Sequence, residues 1–120
     1  MDKKILLVDD AAFMRMLIRD TLTKAGYTQI LEAADGEIAV QTYDAEQPEL
    51  VIMDITMPNK TGIEALKEIK TKYPGAKVIM CSAMGQEAMV VEAIRLGALD
   101  FIVKPFKADR ILQTVQKILG

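Results

Sequence analysis

Short apolar runs alternate along the chain with longer stretches in which apolar residues recur every three or four positions. The runs predict buried strands, and the spacing in the longer stretches predicts amphipathic helices. Five strand–helix pairs fit this pattern, with the second strand the weakest. The predicted strands are residues 5–8, 29–33, 50–53, 78–81 and 101–103.

Glycine and proline mark where most of the helical stretches end. Gly26 ends the first, which carries Met14, Leu17, Ile18 and Leu22 on one face. The second follows the turn and cap pair Asp35-Gly36 and presents Ile38, Ala39 and Tyr43. The remaining predicted helices are residues 62–73, which Pro74-Gly75 closes, residues 86–96 before Gly97, and residues 108–119.

Strands that are apolar on both faces are typical of a parallel sheet covered by helices on both sides. Because crossovers between parallel strands are right-handed, the alternation predicts a doubly wound α/β domain with strand order 2-1-3-4-5, the flavodoxin-like arrangement. The 120 residues contain no internal repeat, linker or low-complexity tract. We therefore expect a single domain spanning residues 1–120.

Charge and composition narrow the classes of partner. Fifteen Lys and Arg face seventeen Asp and Glu, a net charge of −2, and the charges are dispersed. This argues against nucleic acid or an anionic membrane as the main partner. The start of the chain is too short for a signal peptide, and no apolar run reaches membrane-spanning length, so a cytoplasmic protein is expected. Cys81, the single cysteine, lies in an apolar run and is expected to be a buried structural thiol.

Polar residues stand where four of the predicted strands end. Asp9 and Asp10 follow strand one, Asp54 follows strand three, Ser82 follows strand four and Lys104 follows strand five. In an open parallel sheet, ligands bind beyond the carboxyl ends of the strands, near the point where the strand order reverses. We therefore expect three carboxylates, a hydroxyl and an ammonium group to converge there.

Three neighbouring carboxylates repel one another unless a hard cation lies between them. Magnesium fits best, because it needs only one or two carboxylates and leaves a position for a phosphoryl oxygen. The chain has no His and one Cys, which excludes the usual zinc sites. Asp54 is placed to act as nucleophile toward phosphorus, with Lys104 balancing the phosphoryl charge and Ser82 donating a hydrogen bond.

Each of these residues also has an ordinary structural interpretation. Asp9-Asp10 suits a helix cap, and Asp54 suits an Asx turn ahead of Pro58. Taken singly, Ser82 suits a turn and Lys104 a solvated surface position. Independent caps and turns, however, have no reason to place all of these groups at one edge of a sheet, so their combination favours a functional site.

Four short motifs, in this order and at these separations, resemble those of receiver domains of two-component response regulators. They are Leu7-Val8-Asp9-Asp10, Met53-Asp54-Ile55-Thr56-Met57-Pro58, Cys81-Ser82-Ala83 and Val103-Lys104-Pro105-Phe106. The resemblance covers essentially the whole chain. Residues 10–15 and 82–86 look particularly like the single-domain chemotaxis regulators of the Gram-positive and Thermotoga type.

The resemblance implies a set of ligands and partners. Magnesium would be bound by Asp10, by Asp54, by Asp9 largely through water, and by the backbone carbonyl of Thr56. The phosphodonor would be a histidine kinase of the CheA kind, and the output partner a flagellar motor switch protein of the FliM kind, with a phosphatase as a further partner. The chain would be a monomer that catalyses only its own phosphorylation and dephosphorylation, so it is not expected to be an enzyme in the usual sense.

In the family, four positions affect signalling and the lifetime of the acyl phosphate. Ser82 would be the switch hydroxyl and Phe101 the aromatic rotor, although Phe101 lacks the hydroxyl of the more common Tyr. Thr56 and Met84 flank the phosphoryl site, and neither side chain is a carboxylate or amide that would orient a hydrolytic water. Thr61 stands where Asp or Asn is common before Gly62, with little expected effect on function.

Three alternative functions remain at this point. A stand-alone receiver of a phosphorelay or another non-chemotaxis pathway would carry the same motifs. A phosphatase of the haloacid dehalogenase kind would need a second Asp at Thr56 and a cap insertion, neither of which is present. A nucleotide-binding flavodoxin-like or P-loop protein is disfavoured because no glycine-rich phosphate loop follows strand one.

Overall fold

The computed structural model describes residues 3–120, which contain one five-stranded parallel sheet. Its strands are β1 (Lys4–Val8), β2 (Gln29–Ala33), β3 (Leu50–Asp54), β4 (Val78–Ala83) and β5 (Asp100–Lys104). They lie side by side in the order β2-β1-β3-β4-β5. The predicted sheet is confirmed, and so is the weakly patterned second strand, which pairs with β1 along its whole length.

Five helices connect and follow the strands. They are α1 (Ala12–Lys24), α2 (Gly36–Glu46), α3 (Gly62–Lys72), α4 (Glu87–Arg95) and α5 (Ala108–Leu119). Each predicted helix is present, and the bounds predicted for the last three differ from those observed by at most one residue at either end. The longest, α1, has 13 residues, and within residues 3–120 no helix is long and apolar enough to cross a membrane.

The sheet separates two hydrophobic cores. Alternate residues of β1 face opposite sides: Leu6 and Val8 join the core beneath α2, α3 and α4, whereas Ile5 and Leu7 join the core beneath α1 and α5. All four are essentially inaccessible to solvent. Because both faces are covered, the central strands β1, β3 and β4 carry continuous buried apolar runs rather than an alternating pattern, and those runs predicted the parallel sheet.

The start of α3 is fixed against the end of β3. Thr61 is the N-cap: its hydroxyl accepts a hydrogen bond from the Glu64 backbone N–H at 3.2 Å, and the Glu64 carboxylate accepts one from the Thr61 N–H at 2.9 Å. This capping box gives Thr61 a structural role that the sequence analysis did not assign. The next residue, Gly62, is so close to β3 that a Cβ atom there would lie 1.9 Å from the Asp54 carbonyl oxygen.

Candidate functional site

Three acidic side chains meet at the carboxyl end of the sheet. Asp9 directly follows β1, Asp10 is next to it, and Asp54 is the last residue of β3. One carboxylate oxygen of each lies within 4.8 Å of the others. Asp9 is buried, Asp54 is partly buried and Asp10 is exposed, so the cluster opens to solvent on the Asp10 side. The predicted convergence of the three acids is therefore confirmed.

Lys104, the last residue of β5, joins two of these carboxylates. Its Nζ atom lies 2.9 Å from Oδ2 of Asp9 and 3.1 Å from Oδ2 of Asp54. Its side chain is 21% exposed, so the interpretation of Lys104 as a solvated surface charge is wrong. One ammonium group thus links the ends of β1, β3 and β5 and offsets part of the repulsion between the carboxylates.

Burial changes the acidity of both partners. Burial is the main cause that raises the pKa of the Asp54 carboxyl, and the nearby Asp9 carboxylate adds to it. Lys104 and the Thr56 backbone N–H act in the opposite direction, but the pKa stays above its ordinary value. Burial alone would lower the pKa of Lys104, but the carboxylates of Asp9 and Asp54 outweigh it, so this pKa lies above its ordinary value. Asp54 is therefore a carboxylate in an unfavourable environment, and a bound cation would relieve it.

The acidic pair is not the N-cap of α1. That position belongs to Ala11, which has no side-chain cap, whereas Oδ1 of Asp9 accepts a hydrogen bond from the Ala11 N–H at 2.9 Å. Asp9 thus orders the start of the helix with one oxygen and binds Lys104 with the other. No side-chain hydrogen bond of Asp10 occurs among the described residues, so the cap interpretation does not explain why an acid stands there.

The donor set fits a hard cation. Three carboxylates supply only oxygen atoms, and one side of the cluster is open to water, which suits an ion that keeps part of its hydration shell. Thr56, whose carbonyl the resemblance adds as a ligand, lies in the loop directly after β3. Its role as a metal ligand stays a prediction.

Ser82 and Cys81 lie next to the site, inside β4. Asp54 pairs with Cys81 across the sheet, and Ser82, one residue further, is 1% exposed. Ser82 is therefore a strand residue, and the interpretation as a turn hydroxyl is wrong. Burial raises the pKa of the Cys81 thiol to about 12, which agrees with the expected unreactive structural thiol.

Phe101 lies on β5, where it borders an apolar groove of about 600 Å³. The ring is 36% exposed. Ser82 and Met84 line the same groove, together with Val91 and Ile94 of α4. The predicted switch residues Ser82 and Phe101 thus line the same groove between β4, α4 and β5.

Gln86 is a site residue that the sequence analysis missed. Its Oε1 atom accepts a hydrogen bond from the Ala83 backbone N–H at 2.6 Å, and its Nε2 atom donates one to Oγ1 of Thr56 at 2.8 Å. An amide therefore does contact Thr56, contrary to what Thr56 and Met84 alone suggested. The sequence offered only a weak indication of this role. Gln is not a favoured N-cap residue, so its place at the N-cap of α4, after Gly85, indicates that its side chain serves another purpose.

Comparisons with known proteins agree with this geometry. A family model described as the response regulator receiver domain matches residues 5–116. The chain is 57% identical to the chemotaxis protein CheY of Bacillus subtilis over 120 residues, covering all of both chains. It is 55% identical to the CheY of Thermotoga maritima over 118 residues, covering 98% of each chain. The resemblance to the Gram-positive and Thermotoga type is thereby confirmed.

Solved structures give the same fold. The receiver domain of NtrX from Brucella abortus superimposes with a TM-score of 0.91 at 37% identity, covering 97% of this chain and 98% of that one. The flavodoxin-like arrangement predicted from the strand and helix pattern is therefore confirmed by a protein of related sequence.

Proposed function

The chain belongs to the response regulator receiver domain family of two-component systems, and on that basis we propose that it is a phosphorylation switch whose phosphoryl group is carried by Asp54. The observation that supports this most directly is the cluster of Asp9, Asp10 and Asp54 with Lys104 bound at its edge. A nucleophilic carboxylate, a set of cation ligands and a fixed positive charge are the groups that phosphoryl transfer to a carboxylate requires.

The phosphoryl group comes from the imidazole of a phosphorylated histidine kinase. A carboxylate oxygen of Asp54 forms the new bond to phosphorus while the nitrogen–phosphorus bond of the donor breaks and its electron pair returns to the imidazole. Lys104 contacts Oδ2 of Asp54 and is placed to stabilise the negative charge of the transferring oxygens. Ser82, beside Asp54 at the end of β4, supplies a hydroxyl donor to the product.

The residues that would hold magnesium are Asp10, Asp54, Asp9 through water, and the Thr56 carbonyl. Bound there, the ion would neutralise the carboxylates and withdraw charge from the phosphoryl oxygens. The chain acts only on itself: it accepts the phosphoryl group and later loses it to water. It therefore works as a signalling switch rather than as an enzyme with a separate substrate.

The similarity to chemotaxis proteins over the full length supports a particular output. We infer that phosphorylation changes the affinity of a monomeric chain for a flagellar motor switch protein, after transfer from a CheA-like kinase. A phosphatase partner would shorten the signal. The groove beside Phe101 is the surface that such a change at Asp54 would reach first.

Replacement of Asp54 tests the proposal. Incubation with acetyl phosphate and magnesium is expected to add one phosphoryl group to the wild-type chain and none to Asp54→Asn, because an amide is a poor nucleophile. Intact mass spectrometry measures the adduct. Asp20→Asn, which removes an exposed carboxylate of α1, is the matched control and should be labelled like wild type. A full adduct on Asp54→Asn would exclude Asp54 as the acceptor.

A further inference from the structure

The Gln86 side chain occupies a backbone donor at the rim of the acidic site. The Ala83 N–H donates to its Oε1 atom at 2.6 Å, and its Nε2 atom is held by Thr56. The carboxamide therefore bridges Ala83, the last residue of β4, and the loop after β3, 30 positions earlier in the chain. Neither bond caps the helix that Gln86 begins: the first returns to Ala83 three residues earlier, and the second crosses to the loop after β3.

The direction of the Ala83 N–H follows from the strand pairing. The carbonyl of Cys81 accepts a hydrogen bond from the Ile55 N–H at 3.0 Å, so the backbone groups of Cys81 point toward β3. Backbone groups two residues apart on a strand point the same way. The Ala83 N–H is thus directed to the β3 side, past Asp54, where β3 has already ended. An anion attached to Asp54 would be next to this donor.

We propose that Gln86 is a positioning residue that closes the phosphoryl pocket of the unphosphorylated chain by occupying the Ala83 N–H. The inference rests on phosphorylation at Asp54 as proposed above. A single N–H makes one strong hydrogen bond, so the phosphoryl oxygen and Oε1 of Gln86 compete for it. Binding of the anion must break the Gln86 contact, and the energy of that contact is subtracted from the affinity for the anion.

Release of Gln86 also affects the neighbouring segments. Once Oε1 is displaced, two contacts of Nε2 remain. One is the hydrogen bond to Thr56, and the other is a long contact of 3.8 Å to Sδ of Met89. Gln86 is the N-cap residue of α4 and lines the groove that Phe101 borders. Its displacement therefore carries the event at Asp54 to the first turn of α4.

Titration with beryllofluoride, a non-covalent mimic of the phosphoryl group, measures the competition in the full chain with magnesium present. Gln86→Ala frees the N–H, and we expect it to bind beryllofluoride about three- to tenfold more tightly than wild type, the range one neutral hydrogen bond supplies. Gln86→Glu keeps an acceptor on Ala83 and adds a negative charge, so its affinity should fall below that of wild type. Gln41→Ala, on the exposed side of α2, is the matched control.

Hydrogen exchange of the Ala83 amide, followed by NMR without metal or beryllofluoride, separates competition from a general charge effect. The Ala83 N–H should exchange about five- to tenfold faster in Gln86→Ala than in wild type and stay protected in Gln86→Glu. Equal beryllofluoride affinity in wild type and Gln86→Ala, or equal exchange in all variants, would overturn the role of Gln86 while leaving phosphorylation at Asp54 intact. A wild-type chain that binds no beryllofluoride would overturn both proposals.

Discussion

At the scale of single residues, Asp54 is a carboxylate whose surroundings oppose its charge even with Lys104 beside it. Burial disfavours the charged form of Asp54, and the ammonium group of Lys104 only partly compensates. The carboxylate is therefore kept in an environment that favours any partner that offsets its charge, such as a bound cation.

The raised pKa of Asp54 predicts how stability depends on pH. Below the ordinary pKa of 3.8, the Asp54 carboxyl is protonated in both the folded and the unfolded chain, and its contribution to folding is then most favourable. As the pH rises through the higher pKa of the folded chain, the buried carboxyl ionises and this contribution is lost. Without metal, Asp54→Asn should therefore melt higher than wild type at pH 7, by roughly 2–5 °C, and this advantage should shrink toward pH 4.

Thermal melts in chelator across this pH range measure the effect, with Asp20→Asn as control. If wild type melts higher than Asp54→Asn at pH 7, the ion pair with Lys104 outweighs burial and the assigned direction of the pKa shift is wrong.

Removal of Asp10 should change stability in opposite directions with and without magnesium. In chelator, Asp10→Ala relieves repulsion and should gain less than about 1 kcal/mol, because Asp10 is exposed and its charge is screened. With magnesium, an affinity loss of about tenfold would remove about 1.4 kcal/mol of metal-dependent stabilisation. Chemical denaturation in the two buffers tests both signs. A variant less stable than wild type in chelator would favour a structural role for Asp10 at the start of α1.

At the scale of helices and strands, the close contact between α3 and β3 fixes the backbone that carries Asp54. Gly62→Ala would place a Cβ atom 1.9 Å from the Asp54 carbonyl oxygen. The neighbour is backbone and cannot rotate away, so we expect a loss of at least about 3 kcal/mol in the free energy of unfolding. Chemical denaturation measures it.

The chain offers a matched control at Gly75, where an added Cβ would meet nothing within 4 Å. Gly75→Ala should change stability by less than about 1 kcal/mol. Similar denaturation midpoints for the two variants would mean that α3 can move away from β3 without cost.

The elements and the acids of the site could be predicted from sequence because both depend on local patterns. The apolar runs place the end of each strand, and in a parallel sheet those ends share one edge, which brings Asp9, Asp54 and Lys104 to the same edge; the direct reach of Lys104 past β4 depends on its long side chain. The Gln86 bridge could not be predicted, since it depends on how the loop at Gly85 turns, with a φ of +88°, and on a side chain 30 positions away. The capping box at Thr61 could have been predicted, because Thr stands three residues before Glu64. Thr61 was instead considered only as a replacement for the Asp or Asn that is common at this position in the family.

At the scale of the whole molecule, signalling requires that the anion at Asp54 alters a distant surface. Ser82 is buried beside the site and borders the same groove as Phe101. Movement of the Ser82 hydroxyl toward a phosphoryl oxygen would vacate space into which the Phe101 ring, now 36% exposed, can turn. The two arrangements then present different outer surfaces to a partner.

Ser82→Ala should separate phosphorylation from signalling. We expect the variant to accept the phosphoryl group at Asp54 but to lose most of the gain in partner affinity, which should be about tenfold or more in wild type. Titration with a motor switch protein, the proposed partner, measures the gain, and NMR resonances of the Phe101 ring report the movement without a partner. Ser82→Thr keeps the hydroxyl and should retain the response. Equal gains in wild type and Ser82→Ala would exclude the coupling.

The ion pair between Asp9 and Lys104 joins two residues that are made far apart in time during synthesis. The two residues are separated by 95 positions, so a ribosome that has made the acids of β1 and β3 must still complete β4 and β5 before the ammonium group exists. Until then, a nascent chain holds carboxylates with no lysine to offset them. A chain that ends before β5 therefore lacks the positive charge on which the proposed phosphoryl transfer to Asp54 would draw.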